Sequence, residues 1–218
     1  MKRSMRLTMK LFVLLSLAGI ALLGFAGPAQ AQTAGGEAKA VQATLFGMTT
    51  TLADTGRLAS GASDVLQASS IAGSVPSLLT GDSLHATTAG DPSRVESEAS
   101  LGSLGMTLSG VTLSADFVMA RAMAVSGSAG SAASEVQGLA INGVPIQVTG
   151  APNQTVPVAG GVLIVNEQST GSSGAVANAL HLIVSGLADV VIASAEAGAP
   201  PTSGTSLPPI GGGLPGLL

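Results

Sequence analysis

An all-β fold, an antiparallel β-sandwich or alternatively a β-solenoid-like stack, is what three features of this sequence predict. Charged residues make up only 9% of the chain, so the helix formers Glu, Lys and Arg are scarce. β-Branched residues and turn glycines recur at short intervals, a composition that suits half-buried strands. Finally, residues 111–125 keep a period of two throughout, which a pleated strand requires and a helix does not.

The chain opens with a different kind of segment. Lys2, Arg3, Arg6 and Lys10 precede an uncharged apolar run at 11–25, then Gly27-Pro28 and the small-residue set Ala29-Gln30-Ala31. This layout predicts a secretory signal helix over 1–31, cleaved after Ala31. Its apolar run is shorter than the roughly 20 residues that span a bilayer. With no cysteine there is no lipoprotein attachment, and with no twin arginine the expected export partners are the Sec translocase and signal peptidase. No later stretch reads as a membrane span after cleavage.

Beyond Ala31 the basic residues are Lys39, Arg57, Arg94 and Arg121, against twelve acidic ones, a net charge near −8. Such a surface repels phosphates and anionic lipid, which excludes nucleic acid and peripheral membrane binding. The absence of cysteine excludes thiolate metal sites and cysteine nucleophiles. A chain of this length buries roughly 70% of its unfolded surface and needs no disulfide.

Residues 32–198 are expected to form one all-β domain. Its longest strand is 111–125, with one face reading Val111, Leu113, Ala115, Phe117, Met119, Arg121, Met123 and Val125, which places Phe117 in the core. The Ala-rich second half also admits an amphipathic helix. Further strands are expected at 39–46, 65–71, 83–88, 95–101, 135–141, 145–149, 155–158, 161–167, 175–185 and 188–195. The turns between them include Asn142-Gly143, a type I′ hairpin dipeptide, and Ala151-Pro152-Asn153, Gly160-Gly161 and the run 171–174. Residues 115–122 echo 188–195, which a duplication or the chain's bias toward Ala, Ser and Val would each explain. The 199–218 tail holds five of the eleven prolines and reads as flexible or polyproline-like.

Four blocks carry a family resemblance. They are Gly138-Leu-Ala-Ile-Asn-Gly-Val-Pro-Ile-Gln-Val-Thr-Gly-Ala-Pro-Asn-Gln-Thr155, Gly161-Val-Leu-Ile-Val-Asn-Glu-Gln168, Asn178-Ala-Leu-His181 and Ala188-Asp-Val-Val-Ile-Ala-Ser-Ala195. In this order, within residues 95–198, they resemble the bacterial choice-of-anchor P proteins. The resemblance implies an exported, surface-associated domain and no catalytic residues. The tail departs from a sortase signal, since Leu207-Pro-Pro-Ile-Gly and Leu214-Pro-Gly-Leu-Leu218 lack the threonine, apolar span and basic end.

Chemistry-bearing residues are few. Glu167 closes an apolar strand and could act as acid or base if a second carboxylate, Asp189 or Asp116, lay opposite. His181 lies on a strand opposite Leu180, Leu182 and Val184, on a face with Ala179 and Ile183. Glu167, His181 and Asp189 are therefore the candidates for a polar site, with His85 weaker still. No catalytic, metal-binding or cofactor-binding residue is assigned, and no cofactor is expected. Phe46 and Phe117 are the only aromatics past the leader, which is poor material for stacking on sugar rings. The expectation is a secreted or cell-surface, non-covalently attached, non-enzymatic domain (periplasmic where an outer membrane exists) with a structural or adhesive role. Cell-envelope polymers are its candidate partners, and self-association through strand edges is a further expectation. The alternative is a carbohydrate or small-ligand binding module.

Overall fold

Tight reversing turns set the topology. Phe46-Gly47, Ser109-Gly110 and Asn142-Gly143 each carry two successive positive φ values, the type I′ geometry whose twist matches that of paired strands. The structure, a computed structural model, describes residues 35–200; the leader at 1–31 and the tail beyond residue 200 lie outside them. The strands are β1 (Gly36–Leu45), β2 (Met48–Asp54), β3 (Asp64–Val75), β4 (Leu79–Gly90), β5 (Arg94–Leu108), β6 (Val111–Val125), β7 (Ser131–Gln137), β8 (Ala140–Ile141), β9 (Val144–Pro145), β10 (Gln154–Val158), β11 (Gly161–Gly171), β12 (Gly174–Val184) and β13 (Ala188–Gly198).

Two antiparallel sheets form a sandwich-like pair. One has the order β10-β11-β12-β13-β1-β2, the other β3-β4-β5-β6-β8-β9, with β7 also on β6. Within each sheet most neighbours are consecutive in sequence, and β13 returns to pair with β1. The result is a meander closed on itself, with seams only where the chain passes between sheets. A solenoid would stack its strands in parallel, whereas every pairing among the described residues is antiparallel.

Three strand expectations differ from what the chain adopts. The run expected as one strand at 135–141 breaks at Gly138-Leu139 into β7 and β8. Residues 48–54 form β2, although Thr49-Thr50-Thr51 offers no apolar alternation to read. Residues 146–149 form no strand. There the Gln154 side chain takes over the backbone's pairing, accepting from Thr149 N–H at 2.8 Å and donating to the Gln147 carbonyl at 2.8 Å.

A belt of irregular pairs runs across both sheets at one level. The ladders skip Ala40 opposite Ala53 and Ala193, Ala179 opposite Ala193 and Asn166, Ile71 opposite Ser83, and Ser103 opposite Asp116. Ala53, Ser83, Ser103, Asn166 and Ala193 all have φ between 47 and 56°. A left-handed residue inserted in a strand acts as a bulge and re-aims the residues after it. Strands that cross the belt thereby exchange their inward parity. In β6, Val111, Leu113 and Ala115 are buried before the belt, but Val118, Ala120, Ala122 and Ala124 after it. The expected continuous face is thus corrected: Phe117 is only half-buried, and Arg121 turns outward to bond Glu98.

The belt also divides the core by size. On one side the inward residues of the first sheet are Gly36, Ala38, Ala175, Ala177, Ala195 and Ala197. They face Ala86, Thr88, Ser97, Ala99, Ala120 and Ala122 of the second sheet, which adds the larger Leu84, Val95, Leu101 and Val118 on this side. On the other side lie Val41, Leu163, Leu180, Leu182 and Ile192, facing Leu79, Leu104, Met106 and Leu113. The sandwich therefore has a narrow half and a wide half, and both β1 and β13 have their outer ends in the narrow one. There the sheets come so close that a Cβ on Gly36 would lie 2.6 Å from Thr88 Cγ2 and Val95 Cγ1.

The echo between 115–122 and 188–195 falls on β6 and β13. Both stand fourth in their sheets, and each meets the belt at its sixth residue, Asp116 and Ala193. That equivalence aligns Val111 with Ala188, four residues away from the sequence echo. The echo does not follow the structural correspondence between the halves.

Left-handed backbone costs a residue with a Cβ about 1–2 kcal/mol. Ser103 is exposed and bears this cost with no packing in return. Ser103→Gly is accordingly expected to raise stability by about 1 kcal/mol, read as a higher urea midpoint at unchanged slope. A decrease would show that the belt residue is not left-handed.

Candidate functional site

The parity exchange at the belt builds the most concentrated polar cluster on the first sheet. In a regular strand, residues three apart face opposite ways. Because β12 crosses the belt at Ala179, Asn178 and His181 both emerge on the outer face. Glu167 lies directly opposite Asn178 on β11, and Asp189 sits on β13 opposite Ile183. Ala179 itself is buried, not on the face of His181 as alternation suggested.

The geometry is a chain of charge-assisted hydrogen bonds. His181 Nδ1 lies 2.8 Å from Glu167 Oε2, and His181 Nε2 lies 3.0 Å from Asp189 Oδ1. Asn178 Nδ2 donates to the same Glu167 oxygen at 2.7 Å. The histidine side chain is 14% exposed between Glu167 at 30% and Asp189 at 56%, so the middle of the chain is its most sheltered member. Asn178 Oδ1 is buried without a hydrogen-bond partner.

Glu167, His181 and Asp189, singled out from sequence, are thus brought together. Asp116 is not: it lies at the belt on β6, in the other sheet, with its carboxylate against Gly138. His85 is likewise on the second sheet, opposite Ser69 and Ser100. Asn178 is the member that sequence reasoning missed. Its spacing of three from His181 argued against a shared face, and only the belt reverses that.

The arrangement is a cross-strand clamp. Each ring nitrogen is engaged by a carboxylate, Nδ1 by Glu167 and Nε2 by Asp189. The imidazole also fills the gap between the two carboxylates, where a glycosidase would hold its sugar. Among the described residues no group of three His, Asp or Glu side chains is arranged to ligate a metal.

Other polar features are local. Asp91 accepts from Ser93 Oγ at 2.7 Å and from the N–H groups of Ser93 and Arg94 at the β4–β5 turn, which holds its carboxyl below the ordinary range. The Glu98 hydrogen bond holds the Arg121 guanidinium above its usual value. Buried Asn166 is tied by Ser134 Oγ at 2.7 Å and to the Gly150 carbonyl at 3.1 Å, which joins the sheets at one seam. An open groove of about 710 Å³ lies at the wide end, lined by Ser74, Ser77, Thr80, Met106, Thr107 and Thr112 among others. No family model, curated protein or solved structure matches the chain.

Proposed function

We propose that this chain is an exported, non-enzymatic β-domain with a structural or adhesive role at the bacterial cell surface or exterior, held there without a covalent anchor. The observation that carries the reading is the engagement of both His181 ring nitrogens by Glu167 and Asp189, across three strands. Groups that direct their hydrogen-bonding capacity at each other across three strands stiffen a sheet; they do not wait for a substrate. The resemblance of four sequence blocks to choice-of-anchor P proteins supports the same role. A leader of secretory type and an acidic remainder support the location.

His181→Ala is expected to lower stability by about 1–2 kcal/mol, since charged hydrogen bonds are lost but one partner is solvent-screened. Thermal unfolding reads this loss. Glu167→Ala is expected to leave association with purified envelope polymers unchanged. Binding that disappears in Glu167→Ala, with the fold intact by circular dichroism, would transfer the cluster to ligand recognition. Absence of any association would overturn the adhesive reading. The wide-end groove, with its serine and threonine hydroxyls, favours a second reading as a small-ligand or carbohydrate module. A glycan array separates the two.

A further inference from the structure

We infer that β3 is an assembly edge and that its occupant is β3 of a second copy of this chain, paired antiparallel about a two-fold axis at Ala68. The inference is independent of the outer-face cluster. An exposed strand edge offers a row of unpaired N–H and C=O groups, which proteins ordinarily blunt with short strands, prolines or charges. The other edges here are blunted. β10 has five residues with Pro157 among them, and β9 has two, one of them Pro145. β7 carries Glu135 and is tied across the seam through Ser134, while β2 has seven residues, ends on Asp54 and meets β3 through Leu52 only near Gly73, beyond the stretch 64–72.

By contrast β3 runs for twelve residues with no proline, lysine or arginine, and its single charge, Asp64, stands at its first position. Its described backbone bonds within 64–74 run to β4, apart from Val65 N–H, which donates to the Asp64 carboxylate at 2.8 Å, and the Ala72 carbonyl, which accepts from Ser70 Oγ at 2.6 Å. Two of the five exposed large apolar residues of the described chain lie on this strand: Val65 at 58% and Ile71 at 91%.

Their spacing selects the partner. In an antiparallel pairing of β3 with itself centred on Ala68, Val65 of one copy falls opposite Ile71 of the other, and the reverse holds by symmetry. Leu66 meets Ser70, Gln67 meets Ser69, and Asp64 meets Ala72, so no like charges oppose. All four exposed apolar side chains become cross-strand pairs, the stabilising unit of a sheet. A single strand pair buries less than the roughly 1,200 Å² of a tight interface, so the dimer is reversible and concentration-dependent.

The test uses residues 32–218, the chain without its expected leader, in sedimentation equilibrium up to about 1 mM. A reversible dimer is expected. Val65→Lys alone and Ile71→Glu alone are expected to weaken it at least about tenfold. The double variant, which sets Lys against Glu twice, is expected to restore it. Because the chain has no cysteine, Ala68→Cys gives a clean register probe: antiparallel partners lie about 4.5–5.5 Å apart at Cα, within disulfide reach. Ala68→Cys should cross-link under mild oxidant while Ala72→Cys does not. Both lysine and glutamate replace exposed side chains, and far-UV circular dichroism confirms that the variants fold. A monomer at every concentration, a dimer indifferent to the single variants, or a double variant that stays monomeric overturns the inference.

Discussion

Gly36→Val is expected to destabilise the domain by about 3 kcal/mol, although strand propensity alone predicts the opposite sign. Glycine inside a strand costs roughly 0.5–1 kcal/mol relative to a residue with a side chain, and valine is among the best strand formers. At this position packing outweighs that gain. Gly36 opens β1 in the narrow half, where Thr88, Val95 and Ser97 of the other sheet stand directly against it. Thr88 and Ser97 are fully buried and hydrogen-bonded to each other at 3.1 Å, and Thr88 also reaches Thr55 at 3.3 Å. A valine must displace these side chains, so overpacking adds to the loss of buried hydrogen bonds. Urea unfolding decides the sign: a stabilised Gly36→Val variant would mean that the sheets are not in contact there.

Leu182→Ala is expected to cost about 2–5 kcal/mol through the opposite fault. Leu182 is 2% exposed on β12 in the wide half, where the sheets are held apart by leucine, isoleucine and valine. Truncation leaves a void that rigid strands cannot collapse to fill, and the cost grows with that void. Calorimetry reads the loss, and a change below about 1 kcal/mol would place Leu182 outside the core. The two substitutions lie on different sides of the belt, so their effects should add.

The all-β class and most strands are legible in the sequence because alternation and turn residues are local signals. Val111–Val125 is readable with both its ends. The belt is not legible. Left-handed positions are ordinarily announced by glycine or asparagine, but here Ala53, Ser83, Ser103 and Ala193 occupy them. A sequence reader therefore continues the alternation through Asp116 and assigns Phe117, Met119 and Arg121 to the wrong face. The same blind spot hides Asn178. Glu167, His181 and Asp189 stand out merely as rare polar residues in a chain of aliphatic and hydroxyl side chains. Their convergence depends on the order β11-β12-β13, which short turns make readable, and their exact bonding on the belt, which nothing local encodes.

The return of β13 to β1 has a temporal meaning as well. That ladder sets Gly36 opposite Ala197, the two ends of the domain, so its contacts span almost the whole described sequence. Such non-local pairing forms slowly, because loop closure must precede the contacts that stabilise it. β1 cannot be satisfied on that side until the last strand exists. A chain emerging N-terminus first, from a ribosome or through a pore, therefore stays unfinished until its final strand is free, and then completes in one closing step.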